Sequence, residues 1–326
     1  MKNLTGFIAS LLFFVFSCNN DDPDLTGVDF KQEMRDFVID IADYARQTNS
    51  SFIVIPQNGQ EIVTIDGESN GEPAMSYLQA IDGQGREDLF YGYSRDNRET
   101  PDDETEYMTD YLDIAKNNGV VILVTDYCSD HDKMDDSYAK NNSRGYISFA
   151  ANERELYNIP DFPSSPYHEN ASEINSLNEI KNFLYLINPE NYPSKQNFIN
   201  AIKATNYDLL IMDYFFNENE EFTNDEVNQL REKANGGKRL VISYMSIGEA
   251  EDYRYYWQSS WKKEEPDWLY EENPDWEGNY KVKYWKKEWQ DIIYGNNSAY
   301  LDKIIEKGFD GVYLDIIDAF EYFEDL

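Results

Sequence analysis

Eight short apolar runs, alternating with segments of helical spacing, constrain the fold more than any other feature of this sequence. Nearly continuous hydrophobicity over five to seven residues is typical of strands buried on both faces of a parallel sheet. Eight strand–helix units in 326 residues favour an α/β fold of the (β/α)8 TIM-barrel type, whose usual size is ~250 residues. The runs cover residues 52–56, 77–81, 120–126, 145–150, 183–188, 207–213, 239–244 and 309–315.

The segments between these runs predict helices and two irregular regions. A doubly wound open sheet is the alternative architecture, but no Gly-x-Gly-x-x-Gly turn follows a strand. Segment 152–182 is polar with three prolines and is interpreted as a connector, and segment 253–298 holds all six tryptophans and is interpreted as an aromatic-rich insertion. The predicted helices cover residues 31–48, 106–118, 194–204, 225–235 and 299–307.

The N-terminus has the pattern of a targeting segment. An apolar stretch over residues 7–16 follows Lys2 and is too short to span a bilayer. It ends in Val-Phe-Ser-Cys, which resembles a bacterial lipobox with Cys18 as the acylated residue. We therefore predict a lipoprotein signal peptide over 1–17, an acidic tether over 18–30, one barrel domain over 31–326, and a lipid anchor in the bacterial outer membrane, exposed at the cell surface. An ordinary secretory signal is the alternative.

The composition excludes several classes of function. The chain has 28 Lys and Arg against 63 Asp and Glu, a formal charge of −35, which argues against nucleic-acid binding. Two cysteines and two histidines cannot build a cysteine-rich zinc site or a three-histidine metal centre. The acidic run 130–136 lacks the spacing of a calcium loop and is interpreted as a solvated loop. We therefore expect no metal or cofactor, and carboxylate chemistry.

Carboxylates stand where a barrel would carry its active site, at the ends of the predicted strands. Asp126, Asp213 and Asp315 directly terminate apolar runs, where burial would raise the pKa of a carboxyl group as a general acid requires. Other polar residues follow the remaining runs: Asn58, Glu61, Glu87, Glu249 and Asp318. From this pattern alone, a carboxylate-based hydrolase is no better supported than a barrel whose strand ends are polar only because they are exposed to solvent.

Four sequence blocks carry a resemblance to a known family. Residues 241–251 (VISYMSIGEAE) and 308–318 (GFDGVYLDIID) resemble the barrel of glycoside hydrolase family 114, the endo-α-1,4-polygalactosaminidase-like group. Residues 52–59 (FIVIPQNG) and 80–91 (AIDGQGREDLFY) resemble two further blocks of the same family. The resemblance covers most of residues 33–326.

The order of these blocks departs from the family's usual order. The family begins with the strand found here near residue 183, and the two blocks that come first here normally come last. The resemblance therefore implies a circularly permuted barrel, with helix 31–48 packing after the last strand. A truncated half-barrel behind an unrelated N-terminal domain is the alternative, but it would leave two bare sheet edges.

The resemblance also implies roles for individual residues. Asp315 matches the family's essential aspartate, and Glu87 matches its second catalytic acid, with Glu61 as a less well matched competitor. Glycoside hydrolysis needs one carboxyl group that is protonated and one that is ionised. The residues expected to bind sugar, or in the case of Asp318 to orient Asp315, are Asn58, Glu61, Asp126, Asp213, Tyr244, Glu249, Asp318 and Trp285, with the aromatic segment 253–257 beside them.

The resemblance implies a surface lipoprotein that cleaves an α-linked, amino-sugar polysaccharide, a polygalactosaminidase-like hydrolase. An acidic cleft would attract a cationic, galactosamine-containing polymer. A non-catalytic glycan-binding lipoprotein on a degenerate barrel is the alternative, because a fold does not establish activity. A metal-dependent carbohydrate deacetylase is a weaker alternative, since the two histidines share no ligand spacing.

Overall fold

A computed structural model describes residues 25–217 and 220–326. The predicted signal peptide over 1–17, Cys18 and most of the tether lie outside those residues, so the structure does not test them. Within the described part of the chain, no helix combines the length and the apolar character that crossing a membrane requires.

The architecture is mixed α/β, with two parallel sheets and one small antiparallel sheet. The larger parallel sheet has the strand order β1-β11-β7-β6-β5, and the smaller one has the order β2-β3-β4. The strands are β1 (Ile53–Pro56), β2 (Gly83–Glu87), β3 (Val121–Tyr127), β4 (Ile147–Ala151), β5 (Leu184–Tyr185), β6 (Leu209–Asp213), β7 (Leu240–Ser246), β8 (Glu249–Glu251), β9 (Leu269–Glu272), β10 (Asn279–Val282) and β11 (Gly311–Asp315).

The first and last parallel strands lie side by side, as the permuted order of the blocks predicts. Ile53 is paired with Gly311 and Pro56 with Leu314 in a parallel ladder. The two parallel sheets also meet at β1 and β2, where Gln57 forms a parallel bridge with Gly85. The backbone N–H of Asp82 donates to the carbonyl of Val54 at 2.9 Å in the same junction. The sheets are therefore joined along one edge.

Helices cover the outer side of the sheets, and local signals in the sequence set their starts. The side chain of Asp29 caps α1 and that of Ser194 caps α5, while Thr223 and Glu226 form a capping box on α6. The helices are α1 (Phe30–Thr48), α2 (Met75–Ala80), α3 (Asp102–Asn117), α4 (His131–Arg144), α5 (Lys195–Lys203), α6 (Asn224–Leu230), α7 (Lys287–Ile293), α8 (Tyr300–Glu306) and α9 (Ala319–Glu324).

One of the eight predicted strands is wrong. Residues 77–81 belong mainly to α2, and the strand in this region is β2. The sequence of β2 is Gly-Gln-Gly-Arg-Glu, which has no apolar run because Gly85 leaves room for the Tyr313 side chain. The other seven runs overlap observed strands, and all five predicted helices overlap observed helices.

The aromatic-rich region near 253–298 contains an antiparallel sheet of order β8-β10-β9, followed by α7. This sheet begins at Glu249, directly after β7, and extends over the carboxyl ends of the parallel strands. The interpretation of 130–136 as a solvated loop is wrong. Asp130 caps α4, and the following residues form its first turns, with Met134 buried.

Candidate active site

A cavity of about 860 Å³ opens at the carboxyl ends of the parallel strands. The last residues of five parallel strands line it, namely Glu87 of β2, Tyr127 of β3, Tyr185 of β5, Asp213 of β6 and Asp315 of β11. Tyr244 of β7 lines the same cavity. Because the carboxyl ends of parallel strands meet at one edge of a sheet, residues far apart in the sequence converge there.

The surroundings of Asp315, which lines this cavity, alter the ionisation of its carboxyl group. Burial raises the pKa of its carboxyl group to about 7, and the negative charge of Glu87 adds to the effect. The hydroxyl of Tyr244 opposes this shift by donating a 2.6 Å hydrogen bond to Oδ2 of Asp315. Asp315 therefore holds a proton over much of the range in which an aspartate is normally ionised.

Glu87 lines the same cavity, and hydrogen bonds hold its carboxylate group. The hydroxyl of Tyr127 donates to Oε1 of Glu87, and the amide of Asn58 donates to Oε2 at 3.1 Å. The same Asn58 accepts from the backbone N–H of Glu87 at 3.2 Å, in a left-handed conformation with φ of 60° that asparagine adopts more readily than most residues. Asn58 thus fixes both the backbone and the carboxylate at the end of β2.

The cavity therefore brings the carboxyl groups of Asp315 and Glu87 close enough for the charge of Glu87 to raise the pKa of Asp315. Hydrolysis of a glycosidic bond by carboxyl groups requires two of them at one site.

Tyr185 lines the cavity and packs against the buried ring of Tyr313. Tyr185 and Tyr313 lie edge to face with ring centroids 5.2 Å apart, and the Tyr185 hydroxyl donates to Oε1 of Gln57 at 3.0 Å. Burial holds the pKa of both phenols well above the usual value, so both stay neutral. A Cβ at position 85 would lie 2.1 Å from the Tyr313 hydroxyl, so only glycine fits there.

A buried ion-pair network forms another wall. Arg254 donates to both carboxylate oxygens of Asp213, at 3.0 and 2.7 Å, and its Nε donates to Glu251 at 2.6 Å. Tyr253 donates to the other oxygen of Glu251 at 2.6 Å. This bidentate geometry ties the end of β6 to the antiparallel sheet. Asp213 therefore reaches the cavity as part of a network and not as a free carboxylate.

Glu249, at the start of β8, also lines the cavity. It is 2 % exposed, and its Oε1 accepts from the amide of Asn273 at 2.8 Å. Its Oε2 is buried and has no hydrogen-bond partner among the described residues. Burial raises the pKa of this carboxyl group. A ligand with an N–H or O–H group would satisfy this oxygen.

The cavity carries a strong negative charge. Among the described residues, the cations that line it are Arg154 and Arg254, and each is already held by two carboxylates, Arg154 by Asp88 and Asp96. A cationic ligand would be attracted to such a cavity. Ten acidic side chains line it in the same part of the chain: Glu87, Glu155, Glu190, Asp213, Glu249, Glu251, Asp275, Glu277, Asp315 and Asp318.

Exposed aromatic rings stand at the mouth of the cavity. Trp276, in the turn between β9 and β10, is 53 % exposed, and Tyr253 is 37 % exposed. Tyr253 belongs to the aromatic segment 253–257 that was expected to lie near the sugar, whereas Trp276 lies outside it. The position of Trp276 in the turn Asn-Pro-Asp-Trp-Glu-Gly is the sequence signal that indicates an exposed ring. The rest of segment 253–257 packs against other aromatic rings, with Tyr256 against Trp289 and Trp257 against Trp261.

Asp126, which the sequence predicts to bind sugar, does not line this cavity. Its carboxylate is fully buried and accepts from the backbone N–H groups of Phe90 and Tyr91, at 2.8 and 3.2 Å, and from the Ser137 hydroxyl at 2.6 Å. Successive residues of a strand point to opposite faces, so the neighbouring Tyr127 faces the cavity instead. From this alternation, Tyr127 could have been predicted as the cavity-facing residue in place of Asp126.

Trp285 and Glu61 also lie away from this cavity. Trp285 packs against Phe30 and Phe323, with ring centroids 5.1 and 4.8 Å away, between α1 and α9. Glu61, in the short helical turn after β1, lines a second cavity. Asn58, Asp213, Tyr244, Glu249 and Asp318 line the cavity with Asp315 and Glu87. The described residues contain no group of three or more His, Cys, Asp or Glu side chains arranged to hold a metal ion.

A match to a known family covers the C-terminal part of the chain. Residues 188–326 match the family model of glycoside-hydrolase family GH114. This part of the chain is GH114-like. The GH114 match contains Asp213, Tyr244, Glu249 and Asp315, whereas Glu87 precedes it in the sequence. The structure nevertheless brings Glu87 to the same cavity, because β2 follows β1 beside β11.

Relatives of this GH114-like chain occur in distant organisms. "Uncharacterized protein MJ1477" of Methanocaldococcus jannaschii is 42% identical over 156 residues, which are 47% of this chain and 41% of the relative. An uncharacterized protein of Thermotoga maritima is 41% identical over 123 residues, 37% of this chain and 36% of the relative. One of Deinococcus radiodurans is 43% identical over 126 residues, 39% of this chain and 38% of the relative. The matches thus span about two fifths of the length of these relatives.

Proposed function

We propose that this protein is a glycoside hydrolase that cleaves α-linked amino-sugar polysaccharide, with Asp315 and Glu87 as its catalytic carboxyl groups. The observation that carries the proposal is the placement of both residues in one cavity, with the charge of Glu87 helping to keep a proton on Asp315. The GH114 match supports the reaction class.

The reaction divides between the two carboxyl groups. The protonated group donates its proton to the glycosidic oxygen, and the ionised group acts on the anomeric carbon, either directly or through water. Tyr244 and Tyr127 donate hydrogen bonds to Asp315 and Glu87 and so hold both carboxyl groups in place. Because burial keeps the pKa of both phenols well above the usual value, they remain neutral donors throughout.

The charge of the cavity supports a cationic substrate. A partly deacetylated galactosaminoglycan carries ammonium groups, and the unpartnered Oε2 of Glu249 can accept a hydrogen bond from one of them. Trp276 and Tyr253 offer exposed ring faces at the mouth, where the apolar face of a sugar ring can stack. We therefore propose an endo-acting, polygalactosaminidase-like specificity.

We also propose that the two parallel sheets are parts of one closed (β/α)8 barrel over residues 31–326, with the family's blocks in permuted order. The bridge between Gln57 and Gly85 joins the sheets on one side. On the other side, the rings of Phe149 in β4 and Phe183 beside β5 lie 5.9 Å apart. The order of the eight strands around this ring is β1, β2, β3, β4, β5, β6, β7 and β11.

The proposal also includes the location of the protein in the cell. The lipobox-like sequence ending at Cys18, followed by an acidic tether, supports a surface lipoprotein anchored in the outer membrane. Replacing Cys18 with Ala should move the protein from the membrane fraction to the soluble fraction. Retention of the Cys18→Ala variant in the membrane would contradict lipid anchoring at this residue.

Product analysis on a panel of polysaccharides tests the proposed activity. The panel contains partly deacetylated α-1,4-galactosaminan, the same polymer fully N-acetylated, and a neutral α-1,4-glucan of equal length. We expect oligosaccharide products from the partly deacetylated polymer and fewer from the other two. Binding of the polymers without any cleavage would instead indicate a glycan-binding protein.

A further inference from the structure

A second cavity, of about 580 Å³, lies beside the active-site cavity and shares the wall residue Asp318 with it. Its walls come from the helical turn Gln60–Val63, from β2 and α3, and from the segment that follows β11. We propose that this acidic side cavity binds a protonated primary amine, held by the carboxylates of Glu61, Asp318 and Glu321.

The charge balance of the acidic side cavity favours a cation. Of its two described cations, Lys31 pairs with Glu324, and Arg86 Nη1 donates to the Gln60 amide oxygen at 2.8 Å. The carboxylates of the cavity therefore outnumber its cations. The resulting negative potential attracts a cationic ligand. Six acidic side chains line the cavity among the described residues: Glu61, Glu104, Asp318, Glu321, Glu324 and Asp325.

Glu61 supplies an independent observation that points to a ligand. It is only 7 % exposed, and its Oε1 accepts from the Gln60 amide at 2.7 Å and the Tyr107 hydroxyl at 2.6 Å. Its Oε2 is buried and has no hydrogen-bond partner among the described residues. A buried carboxylate oxygen without a donor costs free energy, so a donor that enters the cavity is stabilised there.

Asp318 supplies a second carboxylate that a cation would stabilise. Burial raises the pKa of its carboxyl group to about 6, with Arg86 lowering it and Glu87 adding to the rise. Glu321 lies one helical turn further along the chain, near the start of α9. A cation placed between these two residues and Glu61 would relieve their mutual repulsion.

An ammonium group fits this arrangement better than a metal ion. It presents three N–H donors, which match an unpartnered carboxylate oxygen and its acidic neighbours. The described residues, including those around the acidic side cavity, contain no arrangement of three acidic, histidine or cysteine side chains suited to a metal. The same ammonium chemistry comes from an amino-sugar unit of a polymer that extends past Asp318, or from a free polyamine.

Titration calorimetry on the full chain tests this site without turnover. The protein carries Asp315→Asn so that it does not consume a polymer, and it is titrated with a galactosamine hexasaccharide, its N-acetylated form, and spermidine. We expect Glu61→Gln and Glu321→Gln each to weaken binding of an ammonium probe by about tenfold, the effect of one charge-assisted hydrogen bond. Glu288→Gln, an exposed acid on α7 that lines neither cavity, is the matched control.

The possible outcomes distinguish an amino-sugar polymer from a free polyamine as the source of the ammonium group. They also distinguish failure of this proposal from failure of the proposed hydrolase activity. A loss confined to the hexasaccharide identifies a sugar subsite, and a loss confined to spermidine identifies a polyamine site. Unchanged affinity for both probes in both variants, or displacement of the probes by CaCl2 that depends on Glu61, would overturn the proposal. Because Glu321 is exposed, its variant keeps the test valid even if Glu61→Gln does not fold. Absence of polymer cleavage by the wild type would refute the hydrolase without affecting this measurement.

Discussion

The hydroxyl of Tyr244 donates a 2.6 Å hydrogen bond to Oδ2 of Asp315 and thereby joins neighbouring strands β7 and β11 at the candidate active site. This bond favours the ionised carboxylate, whereas burial and the charge of Glu87 favour the protonated form. The pKa of Asp315 near 7 is the balance of these opposing effects.

Replacing Tyr244 with Phe should raise the pKa of Asp315, because a donor to the ionised form is removed. A hydrogen bond to a charged group contributes ~1.5 kcal/mol, which corresponds to about one pKa unit. The inflection near pH 7 in the pH profile of kcat/KM should therefore move to roughly pH 8. Tyr313→Phe is the control, because the Tyr313 hydroxyl has no partner among the described residues. An unmoved inflection in Tyr244→Phe would show that Asp315 does not set it.

Replacing Arg254 with Met should destabilise the fold strongly, because Asp213 and Glu251 would be left buried without their shared cation. Breaking a buried pair by removing one partner typically costs about 3–5 kcal/mol. Urea denaturation at neutral pH measures the loss. Lys262→Met removes a cation from a surface pair with Glu265, whose side chains are 67% and 70% exposed, and should cost less than about 1 kcal/mol. Equal effects of the two variants would be incompatible with a structural role for the network.

Replacing Gly85 with Ala should destabilise the protein by about 1–3 kcal/mol, as overpacking of a core does. The new Cβ would lie 2.1 Å from the Tyr313 hydroxyl, and the resulting shift of β2 would displace Glu87 two residues further on. Thermal denaturation and activity should both be affected. Gly83→Ala, in the same strand, meets its nearest atoms at 3.0 Å or more and should have a smaller effect. A neutral Gly85→Ala would contradict the tight contact.

The sequence predicts the strand ends well where a strand is apolar. Asp213 and Asp315 directly follow continuous Ile, Leu, Met and Tyr runs, and both line the cavity. β2 could not be located in this way, because Gly85 makes room for the Tyr313 side chain, and that contact joins residues 228 positions apart in the sequence. Glu87 was one of several polar residues at predicted strand ends, and only the resemblance to a family block distinguished it as a candidate catalytic acid.

The direction in which individual side chains point could not be predicted from the sequence either. Asp126 and Tyr127 are adjacent, and without the strand register nothing indicates which one faces the cavity. The network around Arg254 and the exposed ring of Trp276 depend on the antiparallel sheet β8-β10-β9, which lies in a region with no clear period-two pattern. Tertiary contacts therefore decide which polar residues of that region reach the site.

The central claim is that Asp315 and Glu87 cleave a glycosidic bond together, and the most direct test is the rate of new reducing ends from partly deacetylated α-1,4-galactosaminan. Wild type, Asp315→Asn, Glu87→Gln and the surface control Glu288→Gln are compared, with circular dichroism to confirm folding. The amides are nearly isosteric but cannot exchange the catalytic proton, so both should lower kcat by ~10²–10⁴, while the control keeps the wild-type rate. Cleavage by either folded amide variant at the wild-type rate would contradict the account.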